Sequence, residues 1–253
     1  MQDLRLLDVA GSCKNRVLNE IRGLGLGSHG VTANLTAETL AAYERWAPLY
    51  PPTAHNPLMR AEQQAMVEHW PIVAGKRALD LACGSGRYSR LLAEAQAAEI
   101  VAMDFCVPML RQVSAAARVC GSMMHLPFAD ETFDVVISGL ALGHASSLDA
   151  WMAGVARVLS KGGALLYSDF HPEAARVGLT RSFKDRDERT YTVPHHSYDL
   201  DAQCEAAAAA SLTIDVVHEV RVGLELSEPF PKSEEFYSRW EGLPIVLVVR
   251  ARK

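Results

Sequence analysis

Ala78-Leu79-Asp80-Leu81-Ala82-Cys83-Gly84-Ser85-Gly86 decides how the rest of the chain is read. An apolar, strand-forming run passes into a turn of small residues. From Arg87 onward, Tyr88, Leu91, Leu92 and Ala95 recur at helical spacing. Small residues let a backbone approach a ligand closely, and the following helix N-terminus offers unpaired N–H groups to an anionic group. A lone G-x-G reads equally well as a plain tight turn. The nicotinamide fingerprint needs a third glycine where Ser89 stands, and a phosphate-binding P-loop needs Lys-Ser/Thr where Arg87-Tyr88 stands, so neither applies.

Outward from this turn the pattern alternates. Strands are expected at Glu99–Met103, Phe133–Ser138, Ala164–Ser168, Leu212–Val217 and Ile245–Arg250, and helices at Pro108–Ala117, from Leu148 to Leu159, and at Asp201–Ala210. Alternation of this kind predicts an α/β domain with a parallel sheet covered on both faces. Upstream, Gly23 to Gly30 reads as a linker. Thr36 reads as the N-cap of a helix ending at Ala47, and Asn56-Pro57 as the start of a helix stopping at Pro71. We therefore expect a helical extension over 1–70 and the main domain over 71–253. The polar stretch Phe170 to Tyr198 interrupts the alternation, and 170–200 reads as a substrate-pocket insertion.

The 253 residues carry a net charge of −5, with 49% hydrophobic and 22% charged side chains. These values exclude a disordered chain and a strongly basic nucleic-acid binder. No stretch is long and apolar enough for a membrane helix, and the charged N-terminus does not resemble a secretory signal. The five cysteines form no C-x-x-C pair, which argues against a disulfide framework or a structural zinc site. A reduced, cytoplasmic setting is the expectation.

Asp104 closes the second strand, where a carboxylate can accept hydrogen bonds from ribose hydroxyls. Asp80, inside the first strand, needs turn amides or a ligand amine as partners. The segments LDLACGSGRYSRLLAE (79–94), VAMDFCVPML (101–110), MMHLPFADETFDVVISGLALGH (123–144) and ARVLSKGGALLYSDFHP (156–172) resemble, in order and spacing, the motifs of class I S-adenosylmethionine-dependent methyltransferases. The branch resembled contains ubiquinone/menaquinone-biosynthesis and malonyl-carrier-protein methyltransferases. The resemblance implies a Rossmann-like fold with a seven-stranded, mostly parallel sheet and an antiparallel C-terminal strand. It also implies S-adenosylmethionine as cofactor. It assigns Asp80, Ala82, Gly84 and Gly86 to the methionine part, Asp104 to the ribose, Phe105 and Met109 to the adenine faces, and Ser122 and Met123 to the adenine edge. Ser138, Gly139 and Leu140 fall beside the sulfonium, and Tyr43, Trp46 and Tyr50 in a covering segment. The family usually has Gly in place of Ala82, where a methyl requires a negative φ, and often Asp in place of Ser122.

Methyl transfer is an in-line displacement that needs positioning and, for some acceptors, a base. His144, His171 and His195 are the base candidates, each with a loop or capping role as the alternative. Arg176, Arg181, Lys184, Arg186 and Arg189 could meet an acidic substrate or carrier surface, but Asp185, Asp187 and Glu188 between them make a solvated loop the simpler reading. No metal ligand set is evident. The expected activity is methyl transfer to a small-molecule biosynthetic intermediate, free or carrier-bound. A catalytically silent adenosyl-binding partner is the alternative.

Overall fold

A computed structural model describes residues 29–114, 117–224 and 233–253. Two helices come first: α1 (His29–Trp46) and α2 (Pro57–Glu68). The helix expected from Thr36 begins instead at His29, because no proline interrupts this stretch and the helix extends upstream through Gly30. The rest of the proposed linker, residues 23–28, lies outside the described residues. Asn56 caps α2 as expected, its side chain accepting from the Met59 amide at 2.8 Å, with Pro57 in the first turn.

The alternating segment then supplies β1 (Arg77–Leu81), α3 (Arg87–Glu94), β2 (Glu99–Asp104), α4 (Val107–Leu110), β3 (Ala117–Cys120), β4 (Phe133–Ser138), α5 (Leu148–Val158) and β5 (Leu159–Phe170). The helix expected over Pro108–Ala117 is only the short α4, and Ala117 already belongs to β3, whose residues pair in parallel with β2. After β5 come α6 (Pro172–Arg176), β6 (Ser182–Lys184), β7 (Thr190–Thr192), α7 (Leu200–Ala209), β8 (Thr213–Arg221), α8 (Ser233–Trp240) and β9 (Pro244–Arg252). The insertion is thus a short helix and an antiparallel hairpin, with Phe183 opposite Tyr191.

The main sheet has the order β3-β2-β1-β4-β5-β9-β8. All strands run parallel except β9, which pairs antiparallel with both β5 and β8. The chain moves outward from β1 to β3, then returns to β4 on the other side of β1. Loops after β1 and β4 therefore diverge and open a crevice at the strands' carboxyl ends.

Both faces of the sheet are covered. On one, Trp151, Met152 and Val155 of α5 and Ala206 and Ala207 of α7 bury against Leu165, Tyr167 and Val249. On the other, Met66 of α2 and Tyr88 and Leu92 of α3 bury against Ile137, Leu166 and Val248. Glu62 of α2 is fully buried there. Its carboxylate pairs with Arg87 at 2.6 Å and accepts from Tyr88 at 2.7 Å and Ser168 at 2.5 Å, so the charge is compensated in place. Cys83, Cys106 and Cys204 are free thiols. No helix among the described residues is long and apolar enough to cross a membrane.

Backbone geometry around the crevice departs from expectation at Ala82. Its φ is +57°, where a negative value was required for a side chain to be comfortable. Hydrogen bonds from the Cys83 amide to Met103 and from the Gly86 amide to Cys83 hold the turn in this form. A left-handed L-residue costs roughly 1–2 kcal/mol, partly offset by the lower chain entropy relative to glycine. Ala82→Gly should therefore stabilise the protein by about 0.5–1 kcal/mol, read as a higher urea midpoint with an unchanged slope. Gly139 has the opposite constraint. A Cβ there would sit 2.1 Å from Tyr88 Cε2. Gly139→Ala should lower stability by about 1–3 kcal/mol, measured by the same unfolding titration.

Candidate active site

The glycine turn forms one wall of the crevice. Gly84 and Gly86 have φ of +55° and +89°, conformations that only glycine adopts freely. A Cβ built on Gly84 meets no heavy atom within 4 Å, so the outer face of the turn is open to close approach. Asp80 lies behind it and is buried, with Ser89 Oγ donating to its carboxylate at 2.6 Å. Burial raises its pKa to about 6. Asp104, at the end of β2, accepts from the Gly84 amide at 2.8 Å and from the Cys106 amide at 2.7 Å. Burial also raises Asp104 to about 6, against the lowering effect of those amides.

The aromatic residues expected over the cofactor gather beside Asp104. Tyr43, Trp46, Tyr50 and Phe105 pack with buried Met109 and Cys106 in one cluster. Ser85 Oγ donates to the Pro51 carbonyl at 3.1 Å and Gln112 to the Ala47 carbonyl at 2.8 Å, tying the segment after α1 to the turn and to α4. Ser122 sits in the loop after β3, its hydroxyl accepting from the Met124 amide at 3.2 Å. Met123 packs against the main core rather than against the Met109 cluster.

At the end of β4, Ser138 is fully buried and its hydroxyl has no hydrogen-bond partner among the described residues. Leu140 has a φ of +54°, a second strained position. Its amide donates to Ser168 Oγ at 2.9 Å and its carbonyl accepts from Arg181 at 2.6 Å. An open glycine turn, a carboxylate at the end of β2, an aromatic cluster and an orphan buried hydroxyl suit an adenosyl amino acid, with its charged, ribosyl and planar parts.

Arg181 was read as part of a solvated loop. The structure buries it at the centre of the site. It pairs with Asp169 at 2.9 Å, donates to Tyr43 Oη at 3.1 Å and meets His144 Nε2 at 2.9 Å. The other basic residues behave as expected: Arg176 pairs with Glu173 and with Asp199, and Lys184 with Glu188, all exposed. A period-two alternation would have revealed Arg181, because Arg181 and Phe183 are buried while Ser182 and Lys184 face solvent. Asp169, whose carboxylate also accepts from the Gly143 amide, was likewise missed; burial raises its pKa although Arg181 opposes this.

Hydrogen-bond chemistry separates the three histidines. A guanidinium only donates, so His144 Nε2 must be its unprotonated nitrogen. Tyr43 then donates to the same atom at 2.9 Å, so its one lone pair is shared by two donors. Burial and the Arg181 charge hold His144 well below the usual histidine range. His195 Nδ1 faces the Val193 carbonyl at 3.2 Å, which can only accept. Its hydrogen is therefore on Nδ1, leaving Nε2 with a lone pair and no partner among the described residues. Burial, then Arg181, keeps it below its usual pKa. The structure brings His195 to the same cluster, since a Cβ on Gly143 would lie 3.3 Å from His195 Cβ and 2.8 Å from Asp169 Oδ2. His171 is not part of this group. It caps α6 by accepting from the Glu173 amide and faces Glu219 of β8 at 3.3 Å.

Residues 79–167 match the family described as a methyltransferase domain. A demethylmenaquinone methyltransferase from Thermobifida fusca is 36% identical over 118 residues, covering 43% of this chain and 49% of that protein. A malonyl-[acyl-carrier protein] O-methyltransferase from Enterobacter lignolyticus is 30% identical over 176 residues, covering 68% of this chain and 67% of that one. The chain spans about half the length of the curated relatives it matches first. Among solved structures, an S-adenosylmethionine-dependent methyltransferase from Mesorhizobium loti shares the fold with a TM-score of 0.63 at 22% identity, over 76% of this chain and 98% of that one. With the sheet order and crevice described above, these likenesses place the chain in the family of class I S-adenosylmethionine-dependent methyltransferases.

Proposed function

We propose that this chain transfers the methyl group of S-adenosylmethionine to a small biosynthetic acceptor, free or carrier-bound, whose reacting atom must lose a proton. The observation that carries the reading is His195, held by a backbone carbonyl in the tautomer that leaves Nε2 able to accept a proton beside the crevice. When bound, the cofactor supplies the electrophilic methyl group. Gly84, Gly86, Asp80 and Ser138 hold its amino-acid part, Asp104 the ribose, and Phe105 and Met109 the adenine with Ser122 at its edge. Tyr43, Trp46 and Tyr50 exclude water above it. Gly139 and Leu140 shape the reacting face, and Ala82 gives the turn its curvature. His144 serves as a fixed acceptor that orients Tyr43 and Arg181, and His171 as a cap that orients the segment after β5. The two relatives are named for acceptors of different chemistry, demethylmenaquinone and malonyl-[acyl-carrier protein]. A carboxylate is already ionised and needs no base, so the role of His195 applies to an acceptor that carries a proton at its reacting atom.

His195→Asn should lower kcat by about 100-fold while leaving the affinity for the demethylated cofactor within a factor of two. Unchanged turnover by the variant would exclude the base. Ionised Asp104 accepts ribose hydroxyls more strongly than the protonated acid, and its pKa of about 6 makes binding pH-dependent. Affinity for the demethylated cofactor should be full above pH 7 and fall as pH drops through 6, by about tenfold at pH 5. Calorimetry at pH 7.5 and 5 checks this, and Asp104→Asn should reduce that dependence, leaving the share contributed by Asp80, which is also raised to about 6.

A further inference from the structure

Three metal-ligating side chains meet on the α2 face of the sheet, outside the crevice. His69 follows the last residue of α2, Glu68, and His218 lies midway along β8. His69 Nε2 and His218 Nδ1 are 2.7 Å apart, although the residues are 149 positions apart in sequence. Ligand atoms of Glu68, His69 and His218 all lie within 4.8 Å of one another. Both histidines are half-buried and Glu68 is exposed, so an ion can reach the group from solvent.

We propose that Glu68, His69 and His218 form a binding site for a divalent transition-metal ion of the zinc type. Two imidazoles and a carboxylate, with water completing a tetrahedron, suit such an ion. The two facing nitrogens point into the space between the rings, one through its lone pair and the other through its hydrogen. Zinc–nitrogen bonds of about 2.05 Å at a tetrahedral angle set the nitrogens about 3.3 Å apart. The rings need to part by about 0.6 Å and to turn so that both lone pairs meet at the tetrahedral angle. In the hydrogen-bonded pair one facing nitrogen carries a hydrogen. On metal binding that hydrogen moves to the ring's other nitrogen through solvent, both rings stay neutral, and no net proton is released.

The surroundings favour a cation. The ligands sit at the C-terminus of α2, where the terminal carbonyls concentrate negative potential. Arg250 donates to the His69 carbonyl at 3.1 Å and pairs with Asp215 at 2.9 and 3.0 Å, which offsets part of the positive charge near the site. Asp215 also pairs with Arg252 at 2.6 Å and is not available as a competing ligand. A bound ion would join the end of α2 to edge strand β8, a structural clamp independent of methyl transfer.

The test is calorimetric titration of the metal-stripped full chain with Zn2+, together with its thermal unfolding. The expected result is one ion per chain with a dissociation constant of micromolar order or tighter and a raised Tm. His218→Ala and the milder His218→Gln should each weaken binding at least tenfold and remove the Tm rise. Co2+ in place of Zn2+ should give the visible absorption of a tetrahedral or five-coordinate nitrogen–oxygen site, lost in either variant. Absence of stoichiometric Zn2+ binding to the wild type overturns the proposal. So does Zn2+ binding that persists unchanged when His218 is replaced in a variant with native far-ultraviolet circular dichroism.

Discussion

A guanidinium and a carboxylate buried together must stay together, because either left alone in a dry interior would be strongly destabilising. Arg181 and Asp169 are such a pair, and most of the site is arranged around them. Asp169 is the penultimate residue of β5 and also receives the Gly143 amide from the loop after β4. Arg181 precedes the hairpin and reaches Tyr43 of α1 and the Leu140 carbonyl. Four segments distant in sequence are therefore held by one ion pair. The aromatic stack of Trp46 on Phe183, with ring centroids 4.7 Å apart, joins α1 to the hairpin a second time. Thr39, donating to the Pro194 carbonyl at 3.2 Å, joins α1 to the irregular segment after β7. Glu62 does comparable work on the other side, where Arg87, Tyr88 and Ser168 converge on it.

The parts of the molecule legible in the sequence are those whose signal is local. Ala78 to Gly86 announces a strand, a turn and a helix within a few residues, and the Leu148 to Leu159 stripe repeats at helical spacing. What escaped depends on distant partners. Arg181 is one of five basic residues among acids; its alternation with Phe183 is a weak local signal, and its partners Tyr43 and Asp169 lie 138 and 12 positions away. The helix expected after β2 ends at Leu110, and the last residue of the expected span, Ala117, goes into β3, a pairing fixed by β2 rather than by helical spacing. The conformation of Ala82 was misjudged for a related reason: bonds from the amides of Cys83 and Gly86 hold the turn, and alanine is carried into the left-handed region with it.

Three histidines with similar sequence credentials acquire different chemistry from single hydrogen bonds. His144 receives two donors on one nitrogen, His195 gives its hydrogen to a carbonyl, and His171 spends one nitrogen on a helix amide. Their separation is invisible to spacing, since each lies near the carboxyl end of a strand or on the loop beyond one. It follows from the rule that an arginine cannot accept and a carbonyl cannot donate.

The position of β9 has a consequence for how the chain is made. This strand is inserted between β5 and β8 and bonds to both, and β8 has no other neighbour in the sheet among the described residues. During synthesis, β1 to β5 can assemble as soon as they emerge, because their pairings lie within residues 77–170. β8 emerges before the strand that must separate it from β5. Until residue 252 has left the ribosome, the growing protein carries a half-built sheet with an open edge at β5 and an unpaired β8. Folding on the ribosome is thus divided into an early cofactor-side half and a late closure by β9.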